Sequence, residues 1–215
     1  IKNTTGYSLN ALVDYEDPFD ILAHLMIGSE GTLGFISEIS YHTVPDHPHR
    51  ASALILFDDL ATACRAAALL QSQPVDAAEL ADRAALRSVQ DRPGMPGTLA
   101  AVGPDGAALL VETRAETAEG LRVQVGAIEA ALAGLPTFGG VRFSDDAAEC
   151  ARYWAVRKGM FPSVGAVRAT GTTVIIEDVA FPVARLAEAA LDLQALLHAH
   201  GYAEAIIFGH ALEGN

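Results

Sequence analysis

The sequence predicts an α+β fold: a largely antiparallel sheet with helices on one face, assembled from ferredoxin-like units. Three observations carry this expectation. Strand-like and helix-like segments alternate through most of the chain, several strand-like segments follow one another directly, and the helical segments each carry a single apolar stripe. No short-period repeat is visible, so a pairing of two such units rests on the element pattern alone.

Residues 1–45 are dense in Gly, Ser and Thr. They hold a short apolar segment from Ile21 to Ile27, then Gly28-Ser29-Glu30-Gly31-Thr32-Leu33-Gly34, then a strand-like run from Phe35 to Val44. Pro45, His47, Pro48 and His49 form a breaker-rich link, which places a domain boundary between 1–45 and 46–215. Ala51 to Phe57 reads as a strand. Asp58 or Asp59 can cap the next helix, whose face is Leu60, Cys64, Ala67 and Leu70. A short strand from Val75 to Leu80, a helix from Asp82 to Val89 and a Pro/Gly-rich loop from Asp91 to Gly106 come next. Ala108 to Arg114 is a strand, and Leu121, Val125, Ile128 and Leu132 mark an amphipathic helix. Phe138 to Phe143 reads as a strand weakened by Gly139 and Gly140. Asp145 or Asp146 starts a helix through Lys158, and Thr172 to Phe181 is another strand. A helix from Val183 to His200 ends at Gly201, and Ala205 to Phe208 is the last strand.

Composition narrows the function. The chain has 215 residues, 51% apolar and 19% charged, which supports a core and argues against disorder. Lys plus Arg number 14 against 27 acids, a formal charge of −13, so a phosphate backbone would be repelled and nucleic acid is not an expected partner. No apolar run approaches the roughly 20 residues that span a bilayer. Cys64 and Cys150 are far apart and form no CxxC, which fits a reducing, cytoplasmic setting and gives no disulfide scaffold. The chain opens at Ile1 without Met and closes at Asn215 just after an apolar run, so it reads as a fragment of a longer protein.

Four groups of residues can carry chemistry. Gly28 to Gly34 places three glycines in seven residues, either a tight structural turn or a loop whose bare backbone meets a cofactor. Cys150, Trp154 and Arg157 fall four and three apart, on one helix face, where the guanidinium either snorkels to water or grips a carboxylate. His210 alternates with Ile206 and Phe208 and sits between Gly209 and Gly214, with open space expected beside its ring. It is either a satisfied core histidine, a proton acceptor or a metal ligand. Glu177-Asp178 puts one acid toward a core or cleft, where Arg157 or Arg168 can pair with it. His42, His47 and His49 form a weak metal candidate, and His198 and His200 suit a helix C-terminus.

Taken together these segments resemble the FAD-linked oxidases of the vanillyl-alcohol oxidase type. Lys2-Asn3-Thr4-Thr5-Gly6-Tyr7-Ser8-Leu9, then Ile27 through Gly34, Arg157-Lys158-Gly159, Glu177 through Pro182, and Gly209-His210 with Gly214-Asn215 carry the likeness in order along the chain. Within the family the sequence is similar to the D-lactate and D-2-hydroxyglutarate dehydrogenase branch. The resemblance implies that 1–45 is the tail of an FAD-binding domain and 46–215 most of a substrate (cap) domain, truncated. It implies FAD contacts at Thr5, Gly6, Gly28, Ser29, Glu30, Gly31, Thr32 and Gly34. It implies a catalytic pair, Arg157 holding a 2-hydroxy acid's carboxylate and His210 as base or as first ligand of a divalent, zinc-like metal. It further implies hydride transfer to flavin, an electron acceptor such as a quinone or cytochrome, and a location in the cytoplasm or peripheral at the inner membrane. In the large bacterial members an iron–sulfur region follows, and it would lie beyond this sequence.

Some positions depart from the family pattern. Leu212-Glu213 stands where Gly-Asp is usual, Ile176 where 2-hydroxyglutarate enzymes have Lys, and Phe161 where they have a hydroxyl. The last two remove contacts to a distal carboxylate, which points to a smaller or more apolar acid of the D-lactate kind. The rivals are glycolate or another alcohol as substrate, and a non-catalytic ferredoxin-like binding domain.

Overall fold

A computed structural model of the chain describes residues 6–167, 169–175 and 178–215. The chain divides into two compact units, Ile1–Asp46 with Glu177–Ala180, and His47–Ile176 with Phe181–Asn215.

The first unit holds α1 (Ala11–Asp14) and α2 (Pro18–Leu25). Asp17 starts α2: its carboxylate accepts from Phe19 N–H at 2.8 Å, and Pro18 at the first helical position has no N–H to satisfy. Among its described residues only Ala11 and Ser29 are buried. The strand expected over Phe35–Val44 does not form: residues 34–47 carry no regular structure, and Phe35 is 92% exposed. An extended run becomes a strand only when a neighbour takes its N–H and C=O groups, and none does so among the described residues.

The second unit contains β1 (His49–Phe57), α3 (Leu60–Leu70), β2 (Ala77–Asp82), α4 (Arg83–Arg87), α5 (Thr98–Ala101), β3 (Ala107–Ala115), α6 (Ala118–Leu132), α7 (Ala147–Val167), α8 (Leu186–Ala199) and β4 (Phe208–His210). Its sheet has the order β1-β3-β2-β4, every pair antiparallel. The expected α+β architecture is present. β1, α3, β2, β3 and α6 are followed by a stretch that bridges back to β1 at Leu56–Phe138 and Ser52–Ser144, completing one ferredoxin-like unit. The Phe138–Phe143 segment makes no continuous ladder with β1, because Gly139 and Gly140 both turn to positive φ, though Val141 and Phe143 still pack against the core. A second such unit is absent among the described residues; β4 simply extends the β2 edge. The described residues of the stretch expected as a strand over Thr172–Phe181 are irregular.

Helices lie on both faces of the sheet rather than one. Ile55, Phe57, Leu80, Leu109 and Val111 pack with α3, α6 and α8. Leu56, Ala81 and Ala108 pack with α4, α5 and α7. The cause lies in the strands, since β3 buries all but one of its residues and β1 has a near-continuous apolar run. Such strands need cover on both sides. Asp59 and Asp146 are the capping members of their pairs, accepting from Thr62 N–H at 2.6 Å and Glu149 N–H at 2.8 Å. α7 continues past Lys158, through Gly159 and Pro162, because Val156 and Met160 are buried on the sheet side and packing overrides local propensity. No helix among the described residues is long and apolar enough to cross a membrane.

Three acids are buried in this framework, Glu79, Asp82 and Glu112. Glu112 of β3 accepts hydrogen bonds from Ser52 Oγ at 2.9 Å, Arg114 Nε at 2.8 Å and Trp154 Nε1 at 2.6 Å. Burial pushes its carboxyl up, but the bonds from Trp154, Arg114 and Ser52 outweigh it, and the net shift is downward. Trp154 thereby ties α7 to the sheet. Asp82 caps α4 through Ala85 N–H at 2.8 Å, and burial raises its carboxyl from 3.8 to about 6. A raised acid favours the protonated fold, so its contribution is intact below about pH 4 and is lost as pH climbs toward 6. The difference is worth roughly 3 kcal/mol. Asp82→Asn keeps an acceptor for the cap and removes the charge. Urea denaturation from pH 4 to 7 should show wild-type stability falling relative to the variant up to about pH 6; parallel profiles would clear Asp82 of this role.

Candidate functional site

The site is built around Glu79 in the middle of β2. Strand alternation sends Ala78 and Leu80 to one face and Ala77, Glu79 and Ala81 to the other. The small alanines on either side leave room above the strand for long side chains. Glu79 is 7% exposed, so its charge needs partners. Each of its oxygens has one. Arg157 Nε donates to Oε2 at 2.7 Å, and His210 Nδ1 pairs with Oε1 at 2.6 Å.

Both partners are delivered by the elements that carry them. Glu79 and His210 are directly opposed across the antiparallel β2–β4 pair, which puts their side chains on one face. Arg157 reaches the same face from α7, one turn after Trp154. Cys150, on the same helix face, donates its Sγ–H to Ser144 C=O at 3.2 Å, so the face read from the spacing is the one that meets the sheet. The Arg157 guanidinium stacks 4.7 Å over the Phe208 ring. Among the described residues no partner engages its two Nη atoms. Behind Arg157, a cavity of about 10 Å³ lined by Leu54, Leu110, Val156 and Met160 holds at most one water. An organic anion can therefore approach the guanidinium only from its outer side.

His210 is half-exposed, at the end of β4. The loop after it folds back tightly: Phe181 N–H donates to Gly214 C=O at 2.9 Å, and Asn215 N–H to His210 C=O at 3.3 Å. The flanking glycines do not open space beside the ring, contrary to expectation. They permit close backbone approach, since a Cβ on Gly214 would stand 2.0 Å from Phe181 O and one on Gly209 2.1 Å from Asn215 O. Gly214 also has φ +71°, which glycine alone adopts freely.

In the other unit, Gly28–Gly34 forms a doubled turn with positive φ at Gly28, Glu30 and Gly31. It is fastened to the segment after Gly6: Ser8 Oγ donates to Ile27 C=O at 3.1 Å, and Tyr7 Oη meets Thr32 Oγ1 at 2.9 Å. Thr32 Oγ1 in turn donates to Ser29 C=O at 2.6 Å. Apart from buried Ser29 the turn is exposed, and no atom of the described residues stands within 4 Å of a Cβ built on Gly28 or Gly31.

Residues 46–215 match the model of the family described as FAD linked oxidases, C-terminal domain. The chain belongs to that family. It is also similar to glycolate oxidase subunit GlcD of Escherichia coli K12 and of Escherichia coli O6:H1, each 30% identical over 156 residues. The match covers 69% of this chain and 29% of either relative, so the chain spans less than a third of their length.

A flavin fits the residues present in one respect: the bare, outward backbone at Gly28 and Gly31 can lie against a cofactor without a side chain intervening. A metal does not find a ready set, because no group of three or more His, Cys, Asp or Glu suited to an ion occurs among the described residues. His42, His47 and His49 fall under this finding, and His198 and His200 are exposed at the end of α8. Thr5, Arg168 and Glu177 lie outside the described residues, and Asp178 is exposed. The acid that pairs with Arg157 is Glu79, which the sequence reading passed over. The signal was available: an acid inside the apolar run Ala77-Ala78-Glu79-Leu80-Ala81 must be buried and partnered.

Gly214→Ala should disorder the loop that holds His210. The expected loss is about 2 kcal/mol or more in urea unfolding. Wild-type stability in that variant would show that the loop relaxes around the added methyl.

Proposed function

We propose that the chain is part of an FAD-dependent oxidoreductase that oxidises a small D-2-hydroxy acid of D-lactate size. The observation that carries the reading is the meeting of Arg157 and His210, remote in sequence, on the two oxygens of one buried carboxylate. Residues 1–45 would be the tail of the FAD-binding domain, with Gly28–Gly34, Thr5 and Gly6 along the cofactor. The sparse burial in that unit supports this, since two buried residues make no core. Residues 46–215 would be the substrate domain.

The chemistry assigned to each residue follows from its donors. The Nη edge of Arg157 grips the substrate carboxylate in a bidentate fork, fixing the α-carbon. With Nδ1–H turned to Glu79, the Nε2 lone pair of His210 takes the hydroxyl proton as the α-hydrogen departs. Bound FAD supplies the acceptor for the hydride. In the alternative assignment the same Nε2 lone pair would instead ligate a divalent ion in the complete protein. The iron–sulfur region, and a quinone or cytochrome acceptor at the cytoplasmic side of the inner membrane, belong to the same proposal. One guanidinium fork matches one carboxylate, which favours a monocarboxylate. Glycolate is the second reading, favoured by the name of the two relatives.

The test is the full-length protein. It should purify with flavin absorption bands that bleach anaerobically with D-lactate, or with glycolate under the second reading. Arg157→Ala should raise KM and lower kcat together, by roughly 100-fold in kcat/KM. A colourless preparation that binds no added FAD, or unaltered kinetics in the variant, would overturn the reading.

A further inference from the structure

We propose that Glu79 is a positioning residue of this site: its two oxygens select the His210 tautomer and orient the Arg157 fork at once. The inference rests on the roles proposed for Arg157 and His210. Arg157 can only donate, so the Glu79 oxygen it meets at 2.7 Å is an acceptor in an ion pair, and a carboxylate so paired offers acceptors only. The other oxygen, 2.6 Å from His210 Nδ1, is then an acceptor too, and the ring proton must sit on Nδ1. Nε2 is left with its lone pair, on a side chain 47% exposed and open to a reactant. By occupying Nε of Arg157, Glu79 also leaves the Nη1/Nη2 end for an anion.

A purely structural task does not account for this arrangement. α7 is already tied to the sheet one turn earlier by Trp154 and Glu112. The His210 loop is already held by its own backbone bonds to Phe181 and Asn215. What Glu79 adds is the direction and the protonated nitrogen of two side chains whose other ends face outward.

Glu79→Gln in the full-length flavoprotein separates the two contributions. The amide oxygen must still face Arg157 Nε, so the NH2 faces His210 Nδ1 and drives the ring proton to Nε2. Substrate anchoring survives while the proton acceptor is lost. The expected result is a kcat lowered about 10–100-fold with KM changed by less than about threefold. ¹⁵N NMR of the neutral His210 ring should show Nδ1–H in the wild type and Nε2–H in the variant. The wild-type spectrum needs no substitution, so the inference stays testable if the variant folds poorly. Wild-type kcat in a folded Glu79→Gln protein, or Nε2–H in the wild type, would overturn it. If Arg157→Ala and His210→Ala both matter and Glu79→Gln does not, only the positioning role fails. If neither of those matters, the proposed function itself fails and takes this inference with it.

Discussion

A charge inside an apolar sheet face must be met by another, and this requirement organises the second unit. Glu79 and Glu112 lie on the same face of neighbouring strands, close in register because Ala77 is opposite Glu112. Each recruits a donor from α7, Arg157 for one and Trp154 for the other. Hydrogen bonds to charged groups contribute about 1.5–3 kcal/mol each, while a buried carboxylate without partners costs more than that. The helix therefore has little freedom to slide or rotate over the sheet. The chemistry-bearing end of Arg157 inherits that rigidity.

The same face shows how apolar packing and polar placement cooperate. Val156 and Met160 of α7 pack beside Leu56, Ala81 and Leu86, giving the inner side of the guanidinium an apolar backing. In that drier setting the Arg157–Glu79 pair is less screened than a surface pair. Phe208, opposite Ala81 and so two residues along from the register partner of Glu79, supplies a flat floor under the guanidinium. His210 then completes the row at the end of the strand. The result is a wall that turns the Nη edge of Arg157 and the half-exposed ring of His210 outward.

The opposite face contributes stability without chemistry. Its cluster joins α3, α6 and α8 to the centre of the sheet through Phe57, Ile55 and Leu109. Cys64 sits in it as a small apolar residue, its thiol pushed up to about 12 mainly by burial and so unreactive. Division of labour between faces follows from composition: the face under α3, α6 and α8 is mostly apolar, while the face under α7 admits Glu79 and Glu112 among alanines and leucines.

Period and punctuation in the amino-acid sequence determined most of the helices and the three long strands, narrowed the caps to the pairs Asp58/Asp59 and Asp145/Asp146, and gave the shared face of Cys150, Trp154 and Arg157, because each depends on residues a few positions apart. The glycine turn and His210 stood out on residue type alone. Local signals could not tell that helices cover both faces, that Phe35–Val44 would lack a strand partner, or that α7 would run through Pro162. Those outcomes depend on which segments pack against one another. The partnership of Arg157, Glu79 and His210 was likewise decided only in three dimensions: strand register and helix docking bring the three together, and no spacing along the chain encodes a distance across a sheet.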